Sequence, residues 1–141
     1  MENIYYYILS VIFFALAAIG SAMMNTLQFH WYKFRWKDKV NDQWWNPNKS
    51  WRNKYIDGDP KKGLKYKGIW GWMSNFLDAW HTFKMVSIFL VSFSILCFDF
   101  NNRFFFDTYL LNQVVWLAIF GVAWNFNFNY FFTKGFVIEK K

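Results

Sequence analysis

The sequence predicts an all-α membrane protein with three transmembrane helices and a Trp-rich basic loop between helices 1 and 2. Three observations lead there. Of 141 residues, 55% are apolar and 26% are Phe, Trp or Tyr, more aromatic mass than a soluble core of this size uses. Mean hydropathy is nonetheless close to zero, so apolar and polar residues are segregated along the chain, as a bilayer requires of spans and loops. Eleven of the 16 Lys and Arg residues fall between residues 33 and 67, where contact with anionic headgroups would place them.

The formal net charge of +7 does not point to nucleic acid, because the cations gather in one loop and alternate there with Trp and Tyr. No nucleic-acid partner is expected; the expected partner is the lipid bilayer, anionic lipid in particular. A single cysteine, Cys97, excludes an intrachain disulfide framework. The length suits one membrane domain over residues 1–141.

Each element follows from local pattern. Residues 4–24 carry no charge, enough for one crossing. Only Met1-Glu2-Asn3 precedes them, without Lys or Arg, so a retained helix is favoured over a cleaved signal peptide. Helix 1 is expected to continue to about residue 36, since the segment after Met24 has no Gly or Pro and mixes Trp31, Tyr32 and Trp36 with Lys33 and Arg35, as in a headgroup layer. Ala18 and Ala22 give the small-xxx-small spacing that lets helices approach closely, a candidate surface for a homo-oligomer or a membrane-protein partner.

The loop is placed at 37–73. Asn46-Pro47 and the cluster from Asp57 to Gly63 are turn signals. Its aromatic content argues for packing on the membrane face rather than for a disordered linker. Helix 2 is expected over residues 74–99: residues 85–98 are uncharged but too few to span, so the first two turns, with Asp78, His81 and Lys84, are placed at headgroup level. Helix 3 is expected over 108–133, uncharged but carrying Asn112, Gln113, Asn125, Asn127 and Asn129. The short connector holds only Arg103, whereas Lys134, Lys140 and Lys141 follow helix 3. The positive-inside rule then puts loop and C-terminus in the cytoplasm and the N-terminus outside the cell inner (cytoplasmic) membrane.

Candidate chemistry gathers at the start of helix 2. Asp78, His81, Thr82 and Met85 share a helical face by i+3 and i+4 spacing. His30, the only other histidine, is expected at a similar depth, so His30, Asp78 and His81 form a candidate divalent-metal set. The plainer alternative pairs Asp78 with Lys84 or Arg52 and uses its charge at a helix start. Lys49, Trp51, Arg52 and Lys54 are candidates for binding a headgroup or other anion, against the alternative that they only fix topology. None of the serines sits in a G-x-S-x-G setting, and no Gly-rich phosphate cradle, H-E-x-x-H or C-x-x-C occurs.

The strings Ser50-Trp51-Arg52-Asn53-Lys54-Tyr55 and Leu77-Asp78-Ala79-Trp80-His81, with the ending Phe126-Asn127-Phe128-Asn129-Tyr130, resemble a pattern in small bacterial membrane proteins of Bacteroidota type. The likeness covers about the last two-thirds of the chain. It implies no activity; it implies that Trp51 to Lys54 and Asp78 to His81 belong to one site on the cytoplasmic face.

Three functions are expected from these readings. The first is association with itself, a partner protein or lipid at the cytoplasmic face, without catalysis. The second is a membrane-embedded enzyme at that interface, metal-dependent or lipid-directed. The third is a holin-like or channel-like pore, which needs several copies because three helices cannot enclose a channel.

Overall fold

A computed structural model describes residues 2–97 and 109–133. The expected connector, the last residues of helix 2 and the cations after helix 3 lie outside the described residues. Three helices are long and apolar enough to cross a membrane, within Ile4–Phe29, Ala79–Cys97 and Val114–Phe132. No strand occurs among the described residues; there are two isolated antiparallel bridges, Phe34 with Thr133 and Tyr55 with Leu64.

Helix α1 spans Glu2–Phe29, about 42 Å at 1.5 Å per residue, longer than the ~30 Å hydrocarbon core. It does not continue to residue 36 as expected. His30 leaves helical geometry (φ −131°, ψ 26°), Trp31–Lys33 form one 3-10 turn, and Phe34 is extended. The cause is tertiary, since no Gly or Pro intervenes. Phe34 turns inward to full burial, stacked on Trp31 and Trp45 with ring centroids at 5.5 and 5.7 Å. The free backbone of this stretch then pairs elsewhere, Arg35 N donating to Phe132 O at 2.8 Å.

The loop is built of short capped turns. Helix α2 (Asp42–Trp45) starts at Asn41, whose side chain accepts from Gln43 N, and α3 (Pro47–Ser50) starts at Asn46, whose side chain accepts from Asn48 N, with Pro47 in the first turn. Residues 54–65 fold back on themselves through Ile56 N to Gly63 O and Lys65 N to Lys54 O. At the tip Gly63 takes φ 84°, a left-handed value that favours glycine. A 3-10 run over Gly68–Phe76 then leads to α4, leaving Ile69, Trp70 and Trp72 exposed.

Helix α4 covers Ala79–Cys97 and α5 covers Tyr109–Phe126, continued by a π-helical turn over Asn127–Phe132. The second helix therefore starts at Ala79 rather than near residue 74. Two asparagines here bond back to the preceding turn: Asn125 Nδ2 donates to Gly121 O at 3.2 Å and Asn127 Nδ2, at the start of the π-helical turn, to Ala123 O at 2.8 Å. Their polarity is met locally, without a seam between helices.

Helices α1 and α4 pack antiparallel along their whole length. Near one end Ser10 Oγ donates to Ser94 O and Ser94 Oγ to Ser10 O, both at 2.8 Å and fully buried. Further along, Gly20 admits the Ser87 side chain; a methyl group built on Gly20 would overlap the Ser87 hydroxyl. Ala18 and Ala22, at 0% exposure, are buried within the chain, Ala22 in a cluster with Phe34, Ala79 and Phe132. The small-residue face of α1 is thus used inside the chain, which corrects its assignment as a surface for self-association. Helix α5 runs parallel to α1, with Trp116 stacked on Phe14 at 4.6 Å.

The main core lies at the loop end of the bundle, where Ala22, Met23, Leu27, Phe34, Ala79 and Phe132 meet. Large apolar side chains face outward from all three long helices, among them Ile8, Ile12, Phe89, Phe93, Leu117 and Val122. Only 6% of the apolar window of the third span is buried within the chain. That leaves an apolar surface which lipid would cover, far beyond the patch size of soluble monomers.

Candidate functional site

The site forms where the 3-10 run gives way to α4. Asp78 is the N-cap: its Oδ1 accepts from His81 N at 2.8 Å, and its carbonyl accepts from Thr82 N at 3.1 Å. Its other oxygen, Oδ2, lies 2.7 Å from His81 Nδ1. His81, three residues into the turn, thus meets the cap twice, through its backbone N–H and through its ring. The Asp78 side chain is 7% exposed and that of His81 37%, so a sheltered carboxylate holds a ring that still reaches solvent. Thr82 Oγ1 closes the turn on Asp78 O at 2.8 Å.

Neighbouring elements wall this corner. From α1, Gln28 Oε1 accepts from Trp80 Nε1 at 3.2 Å. From the loop, α3 and the turn after it supply Pro47, Ser50 and Trp51. The loop is fixed in place by Asn53, whose Nδ2 donates to Leu77 O at 2.8 Å and Gln43 O at 2.9 Å while its Oδ1 accepts from Gln43 Nε2 at 2.7 Å. Trp44 Nε1 adds a bond to Phe76 O at 3.3 Å. Between these walls opens a cleft of about 230 Å³, lined by Gln28, Pro47, Ser50, Trp51 and Trp80 with the Asp78–His81 pair.

No protein-family model, curated protein or solved structure matches this chain. The chemistry of the cleft is therefore read from its own side chains.

An ionised carboxylate can only accept, so with Asp78 ionised His81 carries its proton on Nδ1. Nε2 has no hydrogen-bond partner among the described residues and is the nitrogen left to the cleft. In the neutral ring it accepts a proton; in the imidazolium it donates to an anionic oxygen. Both tryptophan walls carry a cation. Arg52 Cζ lies 5.3 Å from the Trp51 ring centroid and Lys84 Nζ 5.3 Å from that of Trp80. Ser50 is almost fully buried in the same cleft, but its hydroxyl makes no hydrogen bond to His81.

The sequence-predicted residues divide clearly. Asp78 and His81 meet, and Trp51 lines the same cleft, with Arg52 over its ring but outside the lining. His30 does not join them. Its ring packs edge-on against Phe128 at 5.1 Å and near Tyr32 at 6.4 Å, because α1 ends one residue earlier and turns it toward α5. Among the described residues no three His, Cys, Asp or Glu side chains gather to hold a metal ion, so the metal set of His30, Asp78 and His81 is not assembled. Lys49 is tied to Asp42, leaving it engaged rather than poised for an anion. Lys54 Nζ sits 5.2 Å from the Tyr55 ring centroid, outside the cleft lining. Asp78 pairs with neither Lys84 nor Arg52; its partner is the helix it caps.

Sequence reasoning missed Gln28 and Ser50 as parts of the site, and it gave Asn53, inside the Trp51 to Lys54 stretch, no role as a clamp. Gln28 lies on the face of α1 that meets α4, and Asn53 follows the Trp51-Arg52 pair directly. Position alone carried no signal of either contact.

Proposed function

We propose that this chain is an integral protein of the cytoplasmic membrane, N-terminus outside and loop inside, that binds the anionic head of a membrane amphiphile in the cleft at the loop face. The observation that carries the reading is the Asp78–His81 pair, its Nε2 unpartnered, set between two tryptophans that each bear a cation. Aromatic walls suit the glycerol and upper chain region of a lipid, while Arg52, Lys84 and an imidazolium suit a phosphate. The reading takes up the lipid branch of the association expected from sequence. The alanines named for protein association, Ala18 and Ala22, are buried within the chain.

The test uses the two histidines as reporters. In nanodiscs of phosphatidylcholine, raising the fraction of phosphatidylglycerol is expected to move the His81 ring resonances to saturation and leave those of His30 still. Arg52→Ala should weaken the response several-fold. A His81 signal indifferent to the anionic lipid removes the proposal.

One observation favours a second reading, a lipid-directed hydrolase. Ser50 shares the cleft with an Asp-oriented imidazole, the residue types of nucleophilic ester cleavage. Labelling by a fluorophosphonate probe, lost in Ser50→Ala and in His81→Ala, would support it; a chain that never labels in its folded state rules it out.

A further inference from the structure

Exposed aromatic side chains close the loop end of every span. Phe29 and Tyr32 stand at the end of α1, Tyr130 and Phe131 at the end of the third span, and Trp70, Trp72 and Phe76 ahead of α4. Hydrogen bonds hold these ends at one level: Trp80 Nε1 donates to Gln28 Oε1 at 3.2 Å, and Arg35 N to Phe132 O at 2.8 Å. Rings gathered at one depth of a bundle of spanning helices mark the layer where apolar side chains meet headgroups. Two of the three sets lie at the ends of spans. The third belongs to the 3-10 run over Gly68–Phe76, which is not part of a span.

That run is built as an amphipathic element. Its 9 residues extend for about 18 Å at ~2.0 Å each, and side chains three apart fall in line. One row holds Trp70, Met73 and Phe76, a second Ile69 and Trp72, and a third only Gly71 and Ser74. The second row ends at Asn75, whose Nδ2 bonds back to Trp72 O at 3.0 Å. Ile69 is 83% exposed, and Trp70, Trp72 and Phe76 are exposed with it, so two of the three faces are apolar and largely uncovered by the chain. A methyl group built on Gly71 would meet no atom within 4 Å, so the small face is open as well. Just upstream, Lys65 and Lys67 are exposed, and among the described residues neither has an ion-pair partner. Just downstream, Phe76 stands three residues before Ala79, where the second span begins.

We propose that Gly68–Phe76 is an in-plane anchor on the bilayer at the loop face. Its Trp70 and Ile69 rows lie at the boundary of headgroups and acyl chains, its Gly71 face looks to water, and Lys65 and Lys67 meet the phosphates of anionic lipid. The inference rests on the membrane placement proposed above and not on what the cleft binds. Tethering decides for the bilayer, because three residues reach at most about 10 Å and hold Phe76 that close to the end of the span. A second copy docked on the run would leave the rings of α1 and α5 uncovered, whereas one bilayer surface meets all three sets. Held at this depth, the anchor sets the level at which Asp78 starts α4 and the cleft opens.

The experiment places single nitroxide labels on the full chain in liposomes. It reads their collisions with oxygen, which concentrates in hydrocarbon, and with a neutral nickel chelate, which stays in water. In a Cys97→Ser background, Ile69→Cys and Trp72→Cys report on the run, Lys61→Cys on the exposed loop and Phe89→Cys on the outward face of α4. In vesicles of phosphatidylcholine with phosphatidylglycerol, both run sites should show several-fold less nickel collision than the Lys61 site and less oxygen collision than the Phe89 site. Lys65→Gln with Lys67→Gln should shift the Ile69 label toward water, and so should vesicles of phosphatidylcholine alone. Nickel collision at both run sites equal to that at Lys61, with Phe89 in hydrocarbon, overturns the anchor and leaves the membrane placement standing. A water-exposed Phe89 site removes the two together. Loss of both kinds of collision at the run means that protein covers it and overturns the bilayer as occupant. A depth that ignores phosphatidylglycerol and the two lysines overturns the anionic assignment.

Discussion

His81 Nδ1 lies 2.7 Å from Asp78 Oδ2 while His81 N donates to Asp78 Oδ1 at 2.8 Å, so one buried carboxylate both starts α4 and orients the imidazole. The two duties separate by mutation. Asp78→Asn keeps a good N-cap side chain and should hold stability to within a few tenths of a kcal/mol, while Asp78→Ala should cost about 1 kcal/mol. Both should lose the Nδ1-protonated preference of His81, read by 15N chemical shifts of the ring in detergent. Retention of that tautomer in Asp78→Asn would show that something other than the carboxylate sets it.

Gly20 and Ser87 bring α1 and α4 into direct contact. Gly20→Ala should destabilise by about 1–3 kcal/mol, because its methyl overlaps the Ser87 hydroxyl in a packed interface. Removing that hydroxyl with Ser87→Ala in the same chain should restore most of the loss, the remaining Ser87 Cβ lying at ordinary contact distance. Thermal unfolding of the single and double variants checks the coupling; additive effects would contradict it.

Ser10 and Ser94 exchange hydrogen bonds with each other's carbonyls at the far end of the same interface. Each single alanine should cost about 1 kcal/mol. The double variant should cost less than the sum, because the two hydroxyls also lie 3.3 Å apart and act as one unit. A double-mutant cycle from unfolding in mixed micelles measures it.

In the loop, Asp42 is held below the ordinary carboxylate range by hydrogen bonds from Lys49 and then Asn46, with the Lys49 charge adding to them. A depressed folded-state pKa stabilises above the unfolded value and the contribution fades as pH falls through the folded one. The α2–α3 unit should therefore loosen below about pH 4, earlier in Lys49→Ala and at high salt, because the pair is exposed and screened. Amide exchange of Asn46 and Ser50 across that range reads the effect.

Asn53 joins the loop to the residue before the cap, through Leu77 O and Gln43. Asn53→Ala should cost about 1–3 kcal/mol, being three hydrogen bonds worth about 0.5–1.5 kcal/mol each, less solvent compensation. It should also weaken the response of His81 to anionic lipid with Arg52 and Trp51 intact. Unchanged lipid response would mean that the cleft keeps its shape without the clamp.

The three long apolar helices were legible in the sequence, because charge-free runs of spanning length have few other uses and the loop's cations and Trp residues mark its borders. Asp78 and His81 were legible as sharing one helical face, since i+3 spacing is a local property, but not as each other's partner. The ends of helices were not. No breaker separates Phe29 from Trp36, and the helix stops because Phe34 gains more by stacking on Trp31 and Trp45 than by continuing. That choice turned His30 toward Phe128 and dismantled the metal set. The small residues of α1 were visible as a packing face, but spacing cannot say whether the partner is another chain or α4. Tertiary structure buried Ala18 and Ala22 within the chain and set Gly20 against Ser87 and Ser10 against Ser94. Local spacing and hydropathy depend on neighbours in sequence and are read from it directly. Which face meets which depends on contacts between residues as far apart as Gln28 and Trp80, and the cleft exists only because those distant faces meet.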